Sequence, residues 1–283
     1  MLLKRVGLTL LLLLTLTLCA VNVPAATPEV EFLKRTVTVG GVPRGYRVYL
    51  PQGFDPKKKY PVVLSLHGSV QWGEDNEGQL SFTLPAMMRP GGRVETKLEP
   101  KLLSSFIGVF PQSRVETPWS GEMAEYAVKA LDQTVAEFKA DTRRLYVTGF
   151  SLGGYGCWYV AAKHPGKFAA IVPIGGNIKI PERFPRSYLE KFIPADMLAL
   201  YEAQDPHAVF VKAVGNDTPV WIFHGEKDEQ IPISDARRAA EALRAAGASV
   251  RYTEYKEAGH FIFDRAYAEP GFWKWLLARR LAK

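Results

Sequence analysis

The chain has 283 residues, 47% hydrophobic and 23% charged, a balance that excludes a disordered or collagen-like chain. A chain of this length buries roughly three-quarters of its unfolded surface, so it needs no disulfide or metal staple to hold a core. The formal charge of +7 is dispersed, and its longest basic run is Lys57-Lys58-Lys59, so the concentrated basic stripe of a nucleic-acid binder is absent.

The first 25 residues read as a secretory signal. Lys4 and Arg5 precede an apolar run from Val6 to Val23, and small residues follow at Ala25 and Ala26. The strongly apolar part, residues 8–20, is shorter than the roughly 20 residues that span a bilayer. Cys19 follows Leu18, where a lipidated cysteine needs a small residue before it, so a lipoprotein anchor is not expected. Cleavage after Ala25 leaves residues 26–283 as one secreted or periplasmic domain without stable membrane insertion. Cys157 is then its only cysteine, in an apolar helical stretch where it reads as a small core residue.

From residue 35 the pattern alternates β-branched runs with helical ones, as in an α/β protein with a mostly parallel central sheet and helices on both faces. Strands are expected at 35–39, 46–50, 62–66, 107–110, 145–148, 169–174, 220–224 and 250–255, the first two forming an opening hairpin. Apolar spacing predicts helices at 123–140, 152–162, 234–246 and 272–281. Between Gly176 and Thr218 lie about forty residues where a strand-to-strand connection needs far fewer. That stretch, about 177–217, is a candidate cap insertion; as a mere surface elaboration it would have no role in chemistry.

Chemistry resides in three separated pieces. Gly149-Phe150-Ser151-Leu152-Gly153 lies between an expected strand and an expected helix, the context of a G-x-S-x-G nucleophile elbow. A serine hydroxyl needs a base, and the base needs an orienting carboxylate, in the chain order Ser, Asp/Glu, His. Asp228 follows the strand at 220–224 and His260 the strand at 250–255, both at carboxyl ends where open α/β sheets build their sites. Glu226, Glu229 and Asp235 are rivals for the acid, Asp228 having the better loop position. The backbone N–H groups of Ser69 and Leu152 are the expected oxyanion donors. Among the other histidines, His67 and His224 read as structural, His164 as a helix cap or a solvent-exposed residue, and His207 as a surface residue. No H-E-x-x-H, C-x-x-C, P-loop or G-x-G-x-x-G pattern is present, so neither metal nor cofactor is expected.

Several segments together, Leu66-His67-Gly68-Ser69, Gly73-Glu74-Asp75-Asn76, Pro111-Gln112 with Trp119, Tyr146 to Gly156, and Trp221 to Asp228, carry a family resemblance. From about Tyr46 to Trp275 the chain resembles the secreted α/β-hydrolases grouped as predicted peptidases and carboxylesterases. That group is related to polyhydroxybutyrate depolymerase-like and feruloyl or acetyl esterase-like enzymes. The resemblance implies an α/β-hydrolase fold and the same Ser151, Asp228, His260 triad. Two departures touch the substrate side: the segment 176–218 is longer than in the group, and Phe261-Ile262-Phe263 follows the histidine where more polar residues are usual. Trp72, Trp119, Tyr155 and Phe261 are the candidate substrate contacts, with Phe263 nearby, and core packing is the competing reading. The expected activity is hydrolysis of small or oligosaccharide-linked carboxylic esters through an acyl-enzyme. A peptidase or amidase of the same fold is the alternative, and a non-catalytic hydrolase-like binding protein the third reading.

Overall fold

The computed structural model describes residues 30–89, 94–179 and 185–282. The expected signal sequence, with Cys19, lies outside them. Among the described residues eight strands form one sheet: β1 (Phe32–Val39), β2 (Val42–Tyr49), β3 (Val62–Leu66), β4 (Ile107–Pro111), β5 (Leu145–Phe150), β6 (Ala170–Ile174), β7 (Val220–Gly225) and β8 (Val250–Tyr255), in the order β1-β2-β4-β3-β5-β6-β7-β8. β1 and β2 pair antiparallel, as do β2 and β4, and every later pairing is parallel. The opening hairpin is longer than the apolar pattern indicated, because Gly40 and Gly41, both at positive φ, close it in a two-residue turn.

The central strands β3 to β7 are buried along their whole length, whereas the edge strand β1 alternates and the edge strand β8 is mostly half-buried. Burial on both faces explains their continuous apolar sequences. The helices are α1 (Thr83–Met88), α2 (Gly121–Glu137), α3 (Leu152–Lys163), α4 (Arg186–Phe192), α5 (Ala195–Tyr201), α6 (Pro206–Val214), α7 (Ile233–Ala245), α8 (Phe263–Ala268) and α9 (Phe272–Leu277). One apolar core, with α2, α3, α6 and α7, covers one face; a second, with α1, α8, α9 and Phe106, covers the other. This is the expected α/β-hydrolase architecture.

Some boundaries differ for visible reasons. α2 starts two residues early and ends at Glu137, where Lys139 turns into the left-handed region. α9 stops at Leu277 because the tail instead docks on the start of β5: the Leu281 amide donates to Arg143 O at 2.9 Å and the Tyr146 hydroxyl to Arg279 O at 2.8 Å. The insertion divides into two parts. α6 packs on α3 and α7 as an ordinary crossover helix between β6 and β7, whereas α4 and Ile193 after it form the part that reaches the site.

Candidate functional site

The parallel register brings the carboxyl ends of β3, β5, β7 and β8 to one edge of the sheet, where Ser69, Ser151, Asp228 and His260 follow them in the chain. Ser151 links β5 to α3 at φ 56° and ψ −117°, outside the conformations L-residues prefer. The turn is this sharp because α3 lies directly on the strands: a Cβ at Gly153 would sit 1.9 Å from Leu66 O. Strain at this position lifts the hydroxyl off the sheet. The His260 Nε2 lies 2.9 Å from Ser151 Oγ, and its Nδ1 lies 2.7 Å from Asp228 Oδ2.

Asp228 is the best-satisfied polar group of the site. Its side chain is wholly buried, and its Oδ1 accepts the amides of Gln230 at 2.9 Å and Ile231 at 2.8 Å. Burial alone would raise its pKa. Hydrogen bonds from His224, His260 and the Ile231 amide outweigh that and hold it well below the usual carboxylate range. The loops carrying the acid and the base are pressed together at Gly225, where a Cβ would meet Gly259 O at 2.1 Å. The rival acids have other tasks. Glu226 accepts the Glu257 amide, Glu229 is exposed, and Asp235 accepts the amides of Ile178 and Lys179. Asp235 also pairs with His207, Nε2 to Oδ1 2.9 Å, so His207 is buried and corrects the expectation of a surface residue. His164 caps α3 and faces Glu125.

Ser69 and Leu152 line the cavity beside Ser151. Each is the first residue of its helical segment, so its amide has no acceptor within that segment. The Ser69 loop is held from beneath by His67, whose Nδ1 donates to Gly68 O at 2.7 Å while its Nε2 accepts the Ser113 amide at 2.8 Å. Burial pushes the His67 pKa down to about 4, so the ring stays neutral in this structural role. Trp119 belongs to the same support. It is fully buried, its ring edge meets His67 at 5.0 Å, and its indole N–H donates to His67 O at 2.9 Å. That corrects its expected role: packing under the loop removes it from the substrate side. The Gly73–Asn76 segment is scaffold too, since Asp75 accepts the amides of Glu77 and Gly78, and Gln112 bridges Asp75 and the Asn76 amide.

A cavity of about 530 Å³ opens on Ser151. Trp72 and Tyr155, two of the candidate substrate contacts, are in its wall together with Leu152, Tyr188, Leu189, Phe192, Ile193 and Ile231. Sequence reasoning missed the four residues from α4 and its C-terminal boundary, because α4 is only seven residues long, too short for a helical period to repeat, and its apolar side is only half-buried. The α4–α5 segment is tied down by the Tyr188 hydroxyl, which donates to Glu116 O at 3.0 Å, and by Tyr201, stacked on Tyr155 at 6.0 Å. Phe261 is not in the cavity wall. It is 56% exposed, edge-on to Phe82 at 6.1 Å, while Phe263 is buried against Phe82 and Phe150.

Comparison with known proteins agrees with this architecture. The chain is 25% identical over 229 residues to dipeptidyl-peptidase 5 of Porphyromonas gingivalis, covering 77% of this chain and 33% of that protein. It is 26% identical over 224 residues to a putative esterase, NocK, of Nocardia uniformis, covering 78% and 62%. The chain thus spans about a third of the length of the dipeptidyl-peptidases it matches. Among solved structures, a thermostable esterase superposes with a TM-score of 0.68 at 25% identity, over 88% of this chain and 63% of that one. Dipeptidyl peptidase 4 of Porphyromonas gingivalis shares the fold with a TM-score of 0.66 at 15% identity, over 89% and 36%. The model of the prolyl oligopeptidase family matches residues 112–277, more than half of the chain and a span that includes Ser151, Asp228 and His260. The chain belongs to the prolyl oligopeptidase family.

Proposed function

We propose that the chain is a carboxylic-ester hydrolase with Ser151 as nucleophile, His260 as general base and acid, and Asp228 as the group that orients His260. The observation that carries this reading is the continuous relay from Ser151 Oγ to His260 Nε2 and from His260 Nδ1 to Asp228, opening on an apolar cavity. In the first step His260 Nε2 takes the Ser151 proton as Oγ attacks the ester carbonyl. The developing oxyanion is met by the Ser69 and Leu152 amides, each such donor being worth roughly 3 kcal/mol. His260 then returns the proton to the departing alcohol, leaving an acyl-serine, and a water activated by the same imidazole releases the acid. Leu152, Leu189, Phe192, Ile193 and Ile231 suit an uncharged acyl group rather than a polar one. Small esters and oligosaccharide-linked esters are the proposed substrates, with residues 26–283 acting as the catalytic unit after export and no cofactor taking part.

Amide cleavage is the second reading, favoured by the similarity to dipeptidyl-peptidase 5. Hydrolysis of p-nitrophenyl acetate, butyrate and octanoate, compared with acetylated or feruloylated sugars and dipeptide amides, separates the two. Esters are expected to react with chain-length dependence, and Ser151→Ala should lower kcat by about 10⁴ or more. A kcat/KM for dipeptide amides above that for esters overturns the ester assignment. Activity that survives Ser151→Ala overturns the nucleophile.

A further inference from the structure

The carboxylate of Asp228 faces two histidines, and the reaction described above uses only one. His224, the penultimate residue of β7, is completely buried, with its Nε2 3.0 Å from Ile231 O and 3.2 Å from Asp228 Oδ2. Both neighbours are oxygens that accept, so the hydrogen bonds fit a tautomer carrying its proton on Nε2, shared between the two. Its Nδ1 is sealed from solvent and has no hydrogen-bond partner among the described residues. An unpartnered buried nitrogen is costly, and it is tolerated here at a site where the other nitrogen touches the catalytic carboxylate.

We infer that His224 is a positioning residue of the reaction: its Nε2–H pins the Asp228 carboxylate and draws on the negative charge that would otherwise act on His260 alone. The inference rests on the triad reading given above. Asp228 Oδ1 then accepts the Gln230 and Ile231 amides and Oδ2 the His260 imidazole, with His224 Nε2 3.2 Å from the same Oδ2. Nothing in that set lets the carboxylate rotate without breaking a bond. Sharing Oδ2 also has an electrostatic consequence. A carboxylate bonded to His260 alone would stabilise the imidazolium more strongly, so His260 would hold its proton to higher pH and the free base would appear later.

Other charged groups near this pair are already occupied. Glu254, the neighbour of His224 across the β7–β8 ladder, is held by Arg237 and by the Tyr252 hydroxyl. At the start of α7, Asp235 is paired with His207. In the flanking loops Lys227 is paired with Glu257, and Glu226 accepts the Glu257 amide.

The test is the pH profile of kcat/KM for p-nitrophenyl butyrate with His224→Leu, His224→Gln and His224→Asn beside the wild type and Ser151→Ala. Leucine removes the donor, and kcat is expected to fall about tenfold, the scale of one charge-assisted hydrogen bond. The acid limb of the profile should move up by about one pH unit. Glutamine can place its amide N–H near the position of Nε2 and should recover both, whereas asparagine is too short and should resemble leucine. A residue that only fills space would lower activity or stability without moving the acid limb. The inference is overturned by leucine and asparagine profiles whose acid limb coincides with the wild type. If the leucine variant does not fold, the glutamine and asparagine pair decides: a limb displaced in asparagine alone supports the inference, and coincident limbs overturn it. Ser151→Ala keeps the outcomes apart, because activity surviving there removes the triad reading itself.

Discussion

A carbon atom at position 225 is a severe test of how the proposed acid and base are held. The Gly225 Cα faces the carbonyls of Ala258 and Gly259, and a methyl group there would stand 2.6 and 2.1 Å from them. Backbone on both sides cannot give way as a flexible side chain would, so Gly225→Ala must push the His260 loop off the Asp228 loop. We expect a drop in kcat of at least 10², with KM for small esters nearly unchanged, since a displacement of about 1 Å in a catalytic geometry costs that much. Steady-state kinetics of the folded variant checks this, and a kcat within threefold of wild type would mean that the loops have slack. Asp228→Asn addresses the same contact chemically: it keeps the shape, alters the His260 tautomer, and should cost kcat about 10⁴.

At the scale of elements, α4 is the piece whose removal should change selectivity and not chemistry. None of its residues is fully buried, yet Tyr188, Leu189 and Phe192 close the cavity above Ser151. Leu189→Ala with Phe192→Ala should therefore raise kcat/KM for octanoate relative to acetate while Tm changes by only a few degrees. A chain-length preference identical to wild type would make the helix mere decoration. The same contrast explains which elements could be read from sequence. β3 to β7 are sandwiched between two cores, so most of their residues are selected for apolarity and the runs stand out. The elbow was legible because glycine and serine spacing there answers a local steric demand, and Asp228 and His260 because the chain leaves a strand just before each. α1 and α8 were not legible, being six residues long and too short for a helical period to repeat. Neither Trp119 nor Phe261 lines the cavity, because proximity in sequence to a motif does not determine which side of a loop a ring occupies.

For the whole molecule, acid should be the weak point of stability. His67 is buried and neutral, with its pKa lowered to about 4 from an ordinary 6.5. Between those values the unfolded chain takes up a proton that the folded chain refuses, so this contribution is complete above pH 6.5 and is lost as pH falls towards 4. Its full size is of order 3 kcal/mol. Asp228, whose pKa is lowered in the fold, adds stability that is present above the ordinary carboxylate value and is lost at still lower pH. Thermal unfolding between pH 7 and 4 should show a Tm that declines steadily over this interval, and His67→Gln should flatten the decline even if it lowers Tm overall. A wild-type Tm that does not change between pH 7 and 4 would contradict the assignment of a neutral, buried His67.

The packing of α3 has a further consequence for how the enzyme could diverge. Every residue from Gly153 to Ala162 is buried, wedged between the sheet and its neighbours, so almost any enlargement behind Ser151 meets something that cannot move. The opposite wall of the same cavity is a helix none of whose residues is fully buried. Selection for new substrates would therefore accumulate changes in 186–192 and leave 149–162 nearly untouched, and a randomised library confined to the first stretch should yield many more folded, altered-specificity variants than one confined to the second.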